Sequence, residues 1–440
     1  MAGVNVDGEF YPGDTRSICA LAYDALQPTR AQGTIGIMKI AQIAPLYESC
    51  PPRFYGGTER VVAYITDELV RHGHEVTLFA SGASQTSAML EPGCDYALRL
   101  DGRVKDPLVY HLRMLDRVRR RADKFDILHF HTDYLHFPFF AECWDKTVTT
   151  LHGRLDLPDL AVMMRAFPDL PLVSISKAQR TPMPWANWYE TILHGLPRDL
   201  HRFGEGNGGY LAFLGRVSPE KRVDRAIAIA RRVGLPLQIA AKVDPVDCAY
   251  YETEIVPLLQ DPLIEFVGEI GEADKGPFLG DALALLFPID WPEPFGLVLI
   301  EAMANGTPVI AFGRGSVPEI IEDGLTGFIV DSLDAAVAAV PLAKQLDRAA
   351  IRRRFEQRFT SERMARDYLR IYDQVLSARA FGTRTTRGVT QAADHGRVPW
   401  GHTEAAGRAH RSAEQPDHHL REPVVVQSDG RVQHQQKTIR

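Results

Sequence analysis

Residues 1–37 show no sustained periodicity, whereas Met38-Lys39-Ile40-Ala41-Gln42-Ile43-Ala44 reads as a buried strand that stops at Pro45. After Gly56-Gly57, Val61, Ile65 and Leu69 recur at four-residue spacing, which predicts a helix with that stripe inward and an end at His72-Gly73. Apolar runs at 75–79, 126–130, 148–151 and 172–175 predict further strands. A second series follows at 210–214, 237–240, 264–267, 283–287 and 309–312. Helices are expected between these strands, including 224–233 and 296–304, the latter ended by Asn305-Gly306. The strand runs are apolar throughout because a sheet covered on both faces buries both sides of each strand. This alternation predicts an α/β protein of parallel sheets with crossover helices, in two Rossmann-like domains.

A chain of 440 residues exceeds what one core usually supports, so two domains fit its length as well as its pattern. The expected divisions are an N-terminal arm over 1–37, a first domain over 38–193 and a turn-rich linker over 194–209. A second domain is expected over 210–360, a C-terminal helix over 361–380 and a disordered tail over 381–440. The tail is short of apolar residues, and its adjacent His418 and His419 read as part of a polar segment, not a metal site.

Charge and cysteine usage narrow the function. A net charge of −6 and the lack of a zinc-finger or RNA-binding signature argue against a nucleic-acid partner. The five cysteines are odd in number and without C-x-x-C spacing, which argues against a disulfide framework or a zinc site and makes a reducing cytoplasm the expected location. No apolar run reaches the length of a membrane span. Arg113, Arg117, Arg120, Arg121 and Lys124 have roughly helical spacing and could rest on the anionic inner face of a membrane. An ordinary solvated basic face is the simpler reading.

Two segments carry the candidate chemistry. In Trp291-Pro292-Glu293-Pro294-Phe295-Gly296-Leu297-Val298-Leu299-Ile300-Glu301, two carboxylates flank a loop-to-helix junction. The free amides near Phe295, Gly296, Leu297 and Val298 form a helix N-terminus, where unpaired N–H groups and the helix dipole favour a phosphate. In Gly215-Arg216-Val217-Ser218-Pro219-Glu220-Lys221, two cations follow the first strand of the second series. Ser218 is the expected N-cap of the next helix and Pro219 its first residue. A forked guanidinium and a point-charge ammonium together suit a diphosphate.

With the Gly315-Ser316-Val317-Pro318-Glu319 turn, these segments make residues 38–378 resemble the family 4 retaining glycosyltransferases. The resemblance implies the GT-B fold, in which two Rossmann-like domains face each other across a cleft. It further implies that Glu293 contacts the donor sugar and Glu301 the nucleotide ribose, while Arg216 and Lys221 grip the donor diphosphate. Gly56-Gly57 resembles the glycine-rich loop that approaches donor phosphates and acceptor. Leu151-His152-Gly153 resembles the segment whose histidine hydrogen-bonds the transferred sugar, so His152 and Glu293 are the expected catalytic pair. The helix over 362–376 resembles the one that crosses back to the first domain. Two positions depart from the family: Arg222 and Ser316 stand where glycine is usual.

No D-x-D triplet is present, so no metal and no cofactor is expected, and Arg216, Lys221 and the helix N-terminus would supply the positive potential. His129 and His131 point to one face of a strand, but no further ligands at zinc spacing accompany them. The expected partners are a nucleotide-sugar donor and a sugar, lipid or small-molecule acceptor. The alternatives are a nucleotide-sugar epimerase of the same build and a non-catalytic nucleotide-sugar binding protein. A dinucleotide oxidoreductase is disfavoured because neither half has G-x-G-x-x-G after its first strand.

Overall fold

The computed structural model describes residues 36–53 and 56–380; the tail over 381–440 and the expected arm, apart from residues 36 and 37, lie outside the described residues. The apolar runs form two sheets whose strands are all parallel. The first contains β1 (Lys39–Ile43), β2 (Glu75–Ser81), β3 (Met89–Cys94), β4 (Ile127–Phe130), β5 (Thr147–Thr150), β6 (Leu172–Ser174) and β7 (Trp188–Thr191), in the order β3-β2-β1-β4-β5-β6-β7. The second contains β8 (Leu211–Val217), β9 (Leu237–Val243), β10 (Ile264–Gly268), β11 (Ala284–Phe287), β12 (Val309–Phe312) and β13 (Gly327–Val330), in the order β10-β9-β8-β11-β12-β13. In both, the strand order reverses beside the first strand, which opens a crevice beyond the carboxyl ends of β1 and β4, and of β8 and β11.

Among the described residues, the helices of eight or more residues are α1 (Gly57–Arg71), α2 (Pro107–Arg119), α3 (Val223–Val233), α4 (Glu272–Gly280), α5 (Leu297–Ala304), α6 (Leu333–Ala343), α7 (Arg348–Arg358) and α8 (Ser361–Ala380). The predicted stripe of α1, Val61, Ile65 and Leu69, is buried against Ile40 and Ile127 of the first sheet. Met364, Tyr368, Ile371 and Tyr372 of α8 complete that same cluster, so the last helix packs on the first sheet after the chain has built the second. Burying each such side chain contributes about 1.5–3 kcal/mol, enough to hold a crossing helix in place. The two crossing segments also pair with each other: Leu196 N–H donates to Phe359 O over 2.9 Å, and Ser361 N–H to Leu196 O over 2.8 Å.

Two expectations change. Ser218 and Pro219 do not begin a helix, because Lys221 N–H closes a tight turn on Ser218 O at 3.1 Å. The helix starts at Val223 behind Arg222, which takes the left-handed conformation (φ 56°, ψ 53°). The edge strands β3, β7 and β13 have no counterpart among the expected strands; in β3 the sequence Met-Leu-Glu-Pro-Gly-Cys contains both strand-weakening residues. An edge tolerates Pro92 because one side of the strand needs no ladder hydrogen bond.

The basic stretch has a structural explanation. Arg117 and Arg121 both pair with Glu91, at 3.1 and 2.8 Å, and Arg120 pairs with Asp116 at 2.7 Å. Three of the five cations thus meet carboxylates of this chain, as a solvated basic face would. No helix among the described residues is long and apolar enough to cross a membrane.

Candidate functional site

The carboxyl ends of the two sheets border a cleft of about 510 Å³, and all eleven residues singled out in the sequence line it. From the first half come Gly56 and Gly57 at the start of α1 and His152 after β5. The second half contributes Arg216 in β8, Lys221 in the turn beyond it, Glu293 and Phe295 in the loop after β11, and Gly296, Leu297, Val298 and Glu301 at the head of α5.

Local backbone geometry explains why these groups converge. Gly296 precedes α5 with φ 82°, a left-handed conformation that glycine adopts without strain, and no side chain caps the helix. The first amides of α5 are therefore without a side-chain cap where the helix borders the cleft. Gly315, at φ 55°, brings its loop so near Glu293 that an added Cβ would lie 2.4 Å from the Glu293 backbone nitrogen. Ser316 N–H then donates to Glu293 O over 2.9 Å, and Ser316 Oγ to Phe295 O over 2.8 Å. Ser316 keeps an ordinary right-handed backbone (φ −74°), so a glycine is not required there.

The cations and carboxylates of the cleft satisfy one another. Lys221 pairs with Glu293, and its ammonium also lies 5.0 Å from the Trp291 ring centre and 5.6 Å from that of Phe287. Trp291 Nε1–H donates to the same Glu293 oxygen over 3.0 Å, so that carboxylate is held from two sides. Arg216 pairs with Glu220 and lies 3.5 Å from both Asp244 and Asp247. A diphosphate entering here would replace carboxylates as the partner of both cations.

Glu301 is bonded by Arg60 of α1 at 2.7 Å and by Lys275 of α4 at 2.9 Å, the first of these reaching across from the other half. Burial opposes its charge, but Lys275 and Arg60 more than offset this and hold the carboxyl well below its ordinary range. Glu272 takes a second contact from each cation, at 3.2 and 3.3 Å. With His201, Glu272 and Glu301 form the group of side chains close enough to hold a metal ion among the described residues. Two carboxylates there already face two cations, so a divalent ion would leave this enclosed group with a net charge of about +2, which a low-dielectric site disfavours. These residues do not fit a metal centre.

His152 is half-buried at the cleft wall, and its ring makes one bond, between Nε2 and His131 Nδ1 at 2.9 Å. Burial pushes its pKa down to about 3, so the ring is neutral at pH 7. Behind it, His131 Nε2 donates to Gln42 Oε1 (2.8 Å), and Gln42 Nε2 donates to Tyr372 Oη (3.0 Å). Tyr372 Oη also lies 2.7 Å from His129 Nδ1, and His129 Nε2 lies 2.8 Å from Thr150 Oγ1. Every ring nitrogen of His129 and His131 therefore has a protein partner, which accounts for both histidines as core hydrogen-bonding groups.

Gly56 has a reason apart from ligand approach: an added Cβ would come within 2.9 Å of Pro52 Cβ. A Cβ on Gly57 would instead make ordinary contact, 3.5 Å, with Leu297 across the cleft. Glu319, from the predicted turn, does not line the cleft; it accepts Lys177 and Ala178 N–H at 2.8 and 2.7 Å and so ties the two halves together. Arg60, Lys275 and Gln42 were not foreseen as site groups. Arg60 follows the glycine pair directly, but nothing around Lys275 or Gln42 in the sequence distinguishes them from ordinary helix and strand residues.

The family model described as Glycosyltransferase Family 4 matches residues 55–199, and that described as Glycosyl transferases group 1 matches residues 202–360. A D-inositol 3-phosphate glycosyltransferase of Salinispora arenicola is 31% identical over 206 residues, covering 40% of this chain and 44% of the relative. The chain thus spans less than half the length of that curated relative. Among solved structures, sucrose-phosphate synthase of Thermosynechococcus elongatus superposes with a TM-score of 0.65 at 18% identity, over 78% of this chain and 100% of that one. Anabaena HepE in complex with UDP-glucose superposes with a TM-score of 0.57 at 18% identity, over 78% and 100% of the two chains. With both halves matched and both sheets in this arrangement, the chain belongs to glycosyltransferase family 4 and has the GT-B fold.

Proposed function

We propose that this chain is a retaining, metal-independent glycosyltransferase that moves a sugar from a nucleoside diphosphate donor to a hydroxyl-bearing acceptor in the cleft. The observation that carries the reading is the convergence of Arg216, Lys221 and the uncapped head of α5 on one wall, with His152 and Gly57 on the facing half. Two cations and a set of aligned amides are what a departing diphosphate needs, because they oppose the charge that builds up on its oxygens as the glycosidic bond breaks. Glu293, still held by Trp291 once the diphosphate takes Lys221, orients the sugar; Glu301 receives the ribose. The acceptor hydroxyl attacks from the face the diphosphate leaves, its proton passing to the departing phosphate oxygen, and the anomeric configuration is kept. Closure of the two halves would complete the site, since its groups come from both.

The related chain named for D-inositol 3-phosphate and the structure holding UDP-glucose support a sugar or sugar-like acceptor and a nucleotide-sugar donor. The test is incubation with UDP-, GDP- and ADP-sugars and candidate acceptors in the presence of a chelator, followed by product analysis. A disaccharide or glycoside that retains the donor's anomeric configuration is the expected product. An epimerised nucleotide sugar, an inverted product, or a strict requirement for added metal would contradict the reading.

A further inference from the structure

Glu301 is clamped in an uneven way. Arg60 Nη1 and Lys275 Nζ both bond the same oxygen, Oε1, and no described residue hydrogen-bonds Oε2. The side chain lines the cleft although only 3% exposed, so the carboxylate meets the cleft through a narrow window. Arg60 and Lys275 are almost as enclosed, at 6% and 8%, and each is steadied by Glu272. A carboxylate fixed at one oxygen and open at the other accepts hydrogen bonds in one direction only. It therefore selects a ligand that presents hydroxyl donors there and disfavours one that presents an oxyanion or hydrocarbon.

We infer that Arg60 and Lys275 are positioning residues that aim Glu301 Oε2 at the hydroxyls of the nucleotide ribose. This rests on the function proposed above. Neither cation touches the nucleotide in this account; both act through Glu301. Lys275 comes from α4 of the same half, whereas Arg60 belongs to the first turn of α1, on the opposite side of the cleft. Selection of ribose is consequently strongest when the two halves are together. It weakens when the cleft opens and Arg60 withdraws.

The experiment is calorimetric titration of the full chain with UDP, GDP and ADP, followed by the 2′,3′-dideoxy form of whichever binds most tightly. Hydrogen bonds to a charged group differ enough from none that the ribose form should bind about 30-fold more tightly than the dideoxy form. In Lys275→Met and Arg60→Gln, the ribose form should fall to within about threefold of the dideoxy form, whose own affinity stays near the wild-type value. Lys275→Arg should restore most of the preference. A protein that loses folding or phosphate contacts instead loses affinity for both forms alike. Wild-type protein that binds both forms equally overturns the inference and the ribose role of Glu301 but leaves sugar transfer from a nucleoside diphosphate standing; a Lys275→Met variant that keeps the full preference overturns the inference alone. Should Lys275→Met not fold, Arg60→Gln and the wild-type comparison decide the matter. Failure to bind any nucleoside diphosphate overturns the inference together with the function beneath it.

Discussion

Replacing Tyr372 by Phe deletes one oxygen atom from the middle of the buried polar chain behind His152. That oxygen accepts from Gln42 Nε2 at 3.0 Å and lies 2.7 Å from His129 Nδ1, and the side chain is fully buried. Two groups therefore lose a partner at once in a place water does not reach. Leaving one buried polar group unmatched costs about 1–3 kcal/mol, so a loss of about 3 kcal/mol is expected for the pair. On an unfolding entropy of about 0.7 kcal/mol/K for some 340 ordered residues, that is a fall in Tm of about 4 °C. Tyr368→Phe is the control. Its hydroxyl meets only Thr150 Oγ1, at 2.8 Å, and Thr150 keeps its bond to His129, so about 1 kcal/mol and a shift of one to two degrees are expected. Thermal unfolding followed by circular dichroism at one slow scan rate measures both. Tyr372→Phe should also lower kcat, because Gln42 would no longer be held against His131 and thus His152. Equal melting shifts for the two variants would refute the idea that the Gln42 contact makes Tyr372 the more consequential hydroxyl.

Trp291→Phe keeps a ring near Lys221 but removes the N–H that Glu293 accepts at 3.0 Å, and should lower kcat/KM for sugar transfer by tenfold or more, since a hydrogen bond to a charged group contributes about 1.5–3 kcal/mol; an unchanged value would show that this bond does not position the carboxylate. Arg222→Gly and Arg222→Ala both lose the surface pairs to Asp224 and Asp290, but only glycine relieves the left-handed backbone at φ 56°. Denaturant unfolding should therefore find the glycine variant more stable than the alanine variant by about 0.5–1 kcal/mol, and the reverse order would contradict a strained turn. Glu59, buried at the start of α1, has its pKa raised by burial from 4.5 to about 6. The folded protein then holds this proton more tightly than the unfolded chain, so ionising Glu59 as pH rises from 4.5 through 6 costs up to about 2 kcal/mol. Glu59→Gln should be more stable than wild type at pH 7.5 and no more stable at pH 4, which melting curves at the two pH values would check.

Elements with a one-dimensional signature were legible in the sequence. The stripe on α1, the apolar runs that became β1, β4, β5 and β8, and the loop-helix junction at Gly296 depend on spacing along the chain, and residues three or four positions apart meet by local geometry. What depends on meetings between distant segments was not legible. Lys275 reaches Glu301 from 26 positions away and Arg60 from 241, and Gln42 meets Tyr372 across 330. The site residues expected at the ends of strands were brought together because the topology sends every carboxyl end to one side of its sheet. Arg222 and Ser316 show the remaining difficulty. Both replace a familiar glycine, yet only Arg222 takes a backbone that favours one; Ser316 sits in a right-handed turn and donates a hydrogen bond to Phe295 O. Backbone conformation at a turn is set by the segments it joins, which the residue itself does not reveal.

The most direct test of the anion cleft is equilibrium binding of UDP and GDP, in a chelator and at fixed salt, to wild-type protein and to Lys221→Ala. Measurable binding by wild type without metal, weakened about tenfold or more in the variant, is the predicted result, since a charge-assisted contact to phosphate is lost. Binding that appears only with a divalent cation, or that is the same in both proteins, would contradict it.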